Sequence, residues 1–323
     1  MVRGEFAMIS PDEIKSLEID YRSPVWAEKI NHQKKILYLG PESISYSKLV
    51  LALGSAPLVS PGYYFEDDFL RLQKALEGQS RHVRIFGSGV LGAELAEQLA
   101  RQGHRVTMTC RGVYPMAREL PNPIGSQLIQ LLEENGIEIS FGSSPASPDA
   151  DALSLSALGV QAQTQLARSS GLEVRGGICV NAYLETSVPD IFAIGDCAEH
   201  PDGSISHLWH QAEEQGVYLA QRIMGNTTQF RPRIFRTKAE FFGQRVFSSG
   251  IIRQSPNVDR TDSLETWTRD SILFWARIRN DRLVGLSFIG EWEKEFGKYA
   301  LEGVREGWNW KQTKNRLDSW TLG

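Results

Sequence analysis

The stretch GSGVLGAE, residues 87–94, puts three glycines at a spacing that serves a defined chemistry. Gly87 permits a tight turn. Gly89 lets backbone approach a pyrophosphate, and Gly92 lets the following helix pack close to the preceding strand. Ser88, Val90 and Leu91 complete the turn, and Glu94 falls in the first turn of the helix. RHVRIF precedes the motif and LAEQLARQGHRVTMTC follows it, so strand, turn, helix and strand form one βαβ unit. Unpaired N–H groups at such a helix start attract a phosphate. The reading is a dinucleotide site; a purely structural turn is the competing one.

The second strand ends on Cys110, followed by Arg111. A NAD site usually carries an acid there for the ribose hydroxyls. No carboxylate stands at this position to repel a 2′-phosphate, and a guanidinium binds such a phosphate through two donors. The pattern therefore favours NADP over NAD, with Arg111 as a solvated loop residue in the opposing reading. Cys110, Cys179 and Cys197 are odd in number and form no CxxC pair. They read as small packing residues in a reducing, cytoplasmic setting, with neither zinc site nor redox disulfide.

The motif needs a scaffold, and periodicity supplies one. ILY (36–38), KLVLAL (48–53), ALSLSALG (152–159) and IFAI (191–194) read as strands. Residues 68–79, 124–136 and 210–225 read as amphipathic helices, and IEISF (137–141) as another strand. The polar run GSSPASPDAD (142–151) reads as a surface loop. Ala-Leu-Gly closes a strand twice, at Gly54 and at Gly159, which suggests two related nucleotide-binding domains.

Beyond the linker 226–233 the pattern changes. RVFSSG, ILFWARIR and LVGLSFIG read as strands, the last two joined at Asn280-Asp281, and a helix follows. Six of the eight tryptophans lie from Trp267 onward and read as core packing. This segment is expected to form a separate α+β domain.

The bulk properties fit a globular chain of two or three domains: 323 residues, 41% hydrophobic, 23% charged. A net charge of −4 argues against nucleic acid and anionic membranes as partners. No 18-residue apolar run and no signal-type leader is visible.

Three stretches taken together, YSKLVLALGSAP, GSGVLGAELAEQLARQGHRVTM and GICVNAYLETSVPDIFAIGDCAE, resemble the FAD-dependent pyridine nucleotide-disulfide oxidoreductases. The branch that includes rubredoxin, ferredoxin and nitrite reductases is the most similar. The resemblance covers roughly residues 35–300. It implies an α/β fold of two Rossmann-like domains plus a small C-terminal α+β domain. The expected boundaries are 1–66 with 158–228 for FAD, 67–157 for NAD(P), and 229–323.

The resemblance further implies that Asp196 bonds the flavin ribityl chain and that Gly195 lets backbone approach there. Gly54 would end the strand where the chain leaves the FAD domain, and Glu94 would lie near the nicotinamide. The helix starting near His210 would face the flavin ring. The function implied is an oxidoreductase passing electrons from NAD(P)H through FAD to a small iron–sulfur or rubredoxin-like protein.

Two departures from the family pattern stand out: no GxGxxG among the first 50 residues, and no room for a hairpin in 142–151. They imply weak FAD retention, so the chain is expected to purify largely flavin-free. They also leave open a nucleotide-binding remnant that has lost flavin, and either a homo-oligomer or a complementing chain.

Overall fold

A computed structural model describes residues 11–59, 62–64, 66–142, 152–232, 234, 236–252 and 262–320. The expected loop 142–151 lies, except for Gly142, outside the described residues. The chain begins with helix α1 (Pro11–Ser16) and a three-stranded antiparallel meander, β1 (Lys29–Asn31), β2 (Ile36–Leu39) and β3 (Glu42–Ser45). Strand β4 (Leu49–Leu51) and the crossing strand β5 (Ser55–Pro57) follow. Next come α2 (Glu66–Leu76), β6 (His82–Phe86), α3 (Val90–Arg101), β7 (Arg105–Cys110), α4 (Asn122–Glu134), β8 (Ile137–Phe141) and β9 (Leu153–Ser156). The chain returns through β10 (Val160–Ala162) to α5 (Gln165–Ser169), β11 (Ile178–Cys179), β12 (Ile191–Ala193), β13 (Ala198–Glu199) and α6 (Trp209–Ile223). It ends in β14 (Arg236–Phe241), β15 (Gln244–Gly250), β16 (Ser263–Arg269), β17 (Ile272–Arg279), β18 (Arg282–Gly290), α7 (Lys294–Glu306) and α8 (Trp310–Ser319).

These elements form two compact units. One comprises residues 1–55 with 162–231, the other 56–161 with 232–323. In the first, β4 pairs in parallel with β12, aligning Leu49, Val50 and Leu51 with Ile191, Phe192 and Ala193. Leu51, Ile178, Ile191, Ala193 and Cys197 form its core with Ile30 of the meander. Asp190 precedes β12 and accepts from Lys35 (2.6 Å) and Lys48 (2.9 Å). Those two hydrogen bonds hold its carboxyl down at about 2.

In the second unit, β8-β7-β6-β9 make a parallel sheet with α3 and α4 as its helices. The expected βαβ unit is thus present, with α3 running from Val90 to Arg101. Small and apolar residues, Ala93, Ala96, Leu99, Leu128 and Leu132, bury the helix faces against Val83, Ile85, Val106 and Met108. Periodicity near 3.6 puts one stripe of each helix inward.

Among the described residues, the C-terminal segment, 229–323, forms a five-stranded antiparallel sheet with two helices. Its sheet, in the order β14-β15-β18-β17-β16, shares a core with the parallel sheet instead of standing apart. The reason is period-two alternation. Val246, Trp275 and Ile289 point into the cluster formed with α3 and α4, while Phe247, Phe274 and Phe288 point into a second cluster under α7 and α8. A sheet apolar on both faces needs cover on both. The Asn280-Asp281 hairpin is present as expected, with both residues left-handed (φ 50° and 58°), as a type I′ turn requires. Trp292 and Trp310 lie in the second cluster and Trp267 and Trp320 pack against it, while Trp275 faces the first cluster and Trp308 packs on Tyr299.

A buried carboxylate locks the seam. Glu97 of α3 is 5% exposed and accepts from the Phe242 N–H (2.6 Å) and from Arg101 Nε (2.8 Å). The Arg101 guanidinium lies over the Phe242 ring. Among the described residues no helix is long and apolar enough to cross a membrane. Glu97→Ala would leave the half-buried Phe242 N–H without its acceptor and is expected to lower unfolding free energy by about 1–3 kcal/mol. Arg101→Ala, at a half-exposed partner, should cost less than about 1 kcal/mol. Urea unfolding of both variants checks this order.

Candidate functional site

The Gly-rich turn sits at the carboxyl end of β6, between β7 and β9, where the strand order switches direction. Its three glycines have different reasons. Gly87 is left-handed (φ 111°), and a Cβ there would come within 2.2 Å of the Ala157 carbonyl oxygen. A Cβ on Gly92 would stand 2.0 Å from the Gly87 carbonyl oxygen. The protein's own packing therefore demands both. Gly89 has φ −72° and ψ −175°, open to any residue, and a Cβ there meets nothing within 4 Å. That open space lies at the start of α3, where no side chain caps the helix. It suits a phosphate approaching the helix N-terminus.

The turn is braced from behind. The Met116 N–H donates to the Ser88 carbonyl (2.7 Å), and Ser88 Oγ donates to Cys110 Sγ (3.1 Å). Cys110 is fully buried and itself donates to the Gly112 carbonyl (3.4 Å), so it packs and ties as expected. Arg111, next in line, is exposed at the end of β7. Val90 and Leu91 open α3, with Leu91 41% exposed. Glu94 keeps solvent access, but the protein around it and then Glu97 push its carboxyl above the usual carboxylate range.

A second cluster forms in the other unit, at the carboxyl ends of β4 and β12. Gly195 is left-handed (φ 72°) and begins a short 3-10 turn that presents Asp196. Burial pushes the Asp196 carboxyl up, but hydrogen bonds from His207 and Ser55, and then the His207 charge, outweigh it and hold it below its ordinary value. Ser55 Oγ donates at 2.8 Å and His207 Nδ1 stands at 3.7 Å, both at Oδ2. Sequence reasoning missed Ser55 and His207. Ser55 directly follows Gly54, which was a usable signal; His207 lies in an unpatterned loop.

The two Ala-Leu-Gly ends behave alike. Gly54 (φ 68°) and Gly159 (φ 99°) are both left-handed. The Gln163 N–H donates to the Gly54 carbonyl, and the Leu58 N–H to the Gly159 carbonyl, each at 3.0 Å within its own unit. The site residues read from sequence thus fall into two groups. Gly87, Ser88, Gly89, Val90, Leu91, Gly92, Glu94, Arg111 and Gly159 gather at one sheet edge, and Gly54, Gly195 and Asp196 at the other unit's.

Residues 7–216 match the family described as Pyridine nucleotide-disulphide oxidoreductase. The rubredoxin-NAD(+) reductase of Acinetobacter baylyi is 33% identical over 245 residues, covering 66% of this chain and 62% of that protein. The nitric oxide reductase FlRd-NAD(+) reductase of Salmonella gallinarum is 31% identical over 231 residues, covering 64% of this chain and 60% of that protein. The chain thus spans about six-tenths of the length of these curated relatives. Among solved structures, the NADH:rubredoxin oxidoreductase of Clostridium acetobutylicum superposes with a TM-score of 0.78 at 23% identity, covering 94% of this chain and 81% of that one. Putidaredoxin reductase in its covalent complex with putidaredoxin superposes at 0.79 and 18%, covering 94% and 80%. Likeness at these identities establishes the fold.

Two outcomes test the site. Gly89→Ala should change stability by less than about 1 kcal/mol yet weaken NAD(P)H binding at least about tenfold. Gly92→Ala should destabilise the chain by about 1–3 kcal/mol through its clash with Gly87. Calorimetric titration and urea unfolding separate the two. For Asp196, the folded-state pKa lies below the unfolded value of about 3.9. Its stabilisation is therefore complete above that unfolded value and lost as pH falls through the folded one. An Asp196→Asn variant should be less stable than the unaltered chain at pH 7, with the gap closing below about pH 4 in acid unfolding.

Proposed function

In a chain that belongs to the pyridine nucleotide-disulphide oxidoreductase family, we propose an oxidoreductase that carries reducing equivalents from NAD(P)H through FAD to a small iron–sulfur or rubredoxin-like protein. The observation that carries this reading is the pair of nucleotide-type sites in one chain, each behind an Ala-Leu-Gly strand end with a left-handed glycine. The relatives' names, rubredoxin-NAD(+) reductase and FlRd-NAD(+) reductase, supply the acceptor class. Those names give no support to a remnant that has lost flavin.

The residues divide the work. The Gly87–Gly92 turn and the N-terminus of α3 hold the pyrophosphate of the nicotinamide coenzyme. Arg111 takes the 2′-phosphate of NADP, with no acid at position 110 to oppose it. Glu94 lies just past the first turn of the same helix, its carboxyl pushed toward the protonated form by burial and then by Glu97. Asp196, fixed by Ser55 and His207, accepts from a ribityl hydroxyl. FAD, when bound, supplies the conversion between two-electron and one-electron chemistry. No acid–base dyad is required of the protein.

The experiment is a spectrum followed by turnover. The purified chain is titrated with FAD, and NADPH- and NADH-driven reduction of a rubredoxin-type acceptor is then compared. NADPH is expected to bind more tightly than NADH. Arg111→Ala should reduce that preference by about 1.5–3 kcal/mol, roughly ten- to a hundred-fold. Equal affinity for both coenzymes, unchanged in the variant, would contradict the role given to Arg111. Absence of flavin binding would contradict the flavoenzyme reading itself.

A further inference from the structure

Behind the Gly195–Asp196 turn lies a buried polar relay that the proposed chemistry does not use. Gln215, on α6, is 1% exposed, and His200, just after β13, is 5% exposed. Gln215 Oε1 accepts from the Gly195 N–H at 2.6 Å, and Gln215 Nε2 stands 3.3 Å from His200 Nε2. The His200 ring stacks on Phe230 (5.6 Å between centroids), which in turn meets Tyr218 of α6.

Hydrogen-bond logic fixes every proton in this relay. A backbone N–H only donates, so the amide atom facing Gly195 must be the oxygen. The amide nitrogen then faces His200 and only donates. His200 Nε2 must therefore accept, which places the ring proton on Nδ1. A doubly protonated ring would set N–H against N–H. Burial works in the same direction, lowering the His200 pKa against the opposing pull of Asp202. Asp202, on the same turn, is the charged group acting on His200, while α6 presents Gln215 and the segment after it presents Phe230.

We propose that Gln215 and His200 are positioning residues: the relay from the Gly195 N–H through Gln215 to neutral His200 fixes the turn that aims Asp196 at its ligand. The inference rests on the flavin-site reading for what Asp196 binds, but not for the relay itself. Gly195 needs such a partner. It is left-handed, its amide is turned toward α6, and a Cβ there would already touch Ala212 at 3.6 Å. With the amide engaged from behind, the carboxylate on the next residue is held in one direction.

Histidine-selective ¹⁵N NMR on the whole chain reads the tautomer directly. At neutral pH, His200 is expected to show a protonated Nδ1 and an unprotonated Nε2. The opposite tautomer, or a charged ring, would overturn the proposal. Amide exchange reads the turn. Gln215→Leu removes both bonds and should speed Gly195 exchange at least about tenfold relative to the Ile191 amide, whereas Gln215→Glu keeps the acceptor and should retain most of the protection. If Gln215→Leu fails to fold, His200→Phe keeps the ring stack and leaves Gln215 without its acceptor. In the unaltered chain, acidification should protonate His200 and shift the Gly195 amide with one midpoint, and in His200→Phe that midpoint should vanish. Unchanged Gly195 exchange in these variants would overturn the proposal. FAD titration of the same proteins should show about tenfold weaker binding for His200→Phe. If the unaltered chain binds no FAD, the flavin reading alone fails, and the Gly195 and His200 signals still decide the relay.

Discussion

The distance between helix α3 and strand β6 governs the nucleotide-binding unit. Gly92 sits so close to the Gly87 carbonyl that no side chain fits between them. That contact sets where α3 begins, and hence where its unpaired amides point. It also sets the face that α3 turns toward the C-terminal sheet, where Glu97 takes up the Phe242 N–H. One helix therefore does two jobs. Its N-terminus leaves backbone amides without a side-chain cap, and further along it carries a buried carboxylate that anchors the β14–β15 turn.

The two ends of that helix balance unlike energies. The N-terminus leaves amides without a side-chain cap, a modest cost in the free chain. The buried Glu97 is costly to desolvate, and it is tolerable because a backbone donor and a guanidinium both engage it. The C-terminal sheet adds apolar area from Val246, Trp275 and Ile289 to the same core. The site thus rests on an element held by packing on one side and by a charged hydrogen bond on the other.

In the other unit, hydrogen bonds fix the Gly195–Asp196 turn. Asp196 is gripped by Ser55 and faced by His207, while Gly195 is gripped by Gln215. Cys197 and Ala198, which follow directly, bury the turn into the unit's apolar core. Cys197, fully buried, adds weak bonds to the Leu51 and Ile194 carbonyls, and burial pushes its thiol up, away from reactive thiolate.

The local pattern of residues determined the βαβ unit with its Gly-rich turn, the strand ends at Gly54 and Gly159, and the Asn280-Asp281 hairpin. Each depends on neighbours within a few positions: glycine spacing, alternation, a left-handed turn. Even the buried character of β15, β17 and β18 was legible, because their apolar runs have no polar face. What covers those faces was not. Alternation says that Val246 and Phe247 point opposite ways, but it does not say that one meets α3 and α4 and the other α7. The roles of Ser55, His207, Gln215, His200 and Glu97 were hidden for the same reason. A polar side chain acquires a function from the group it meets, and those partners lie between 11 and 145 residues away in the chain. Only the folded chain brings them within hydrogen-bond or ion-pair reach, because pairing buried polar groups is a condition on the whole packed unit and leaves no local period to read.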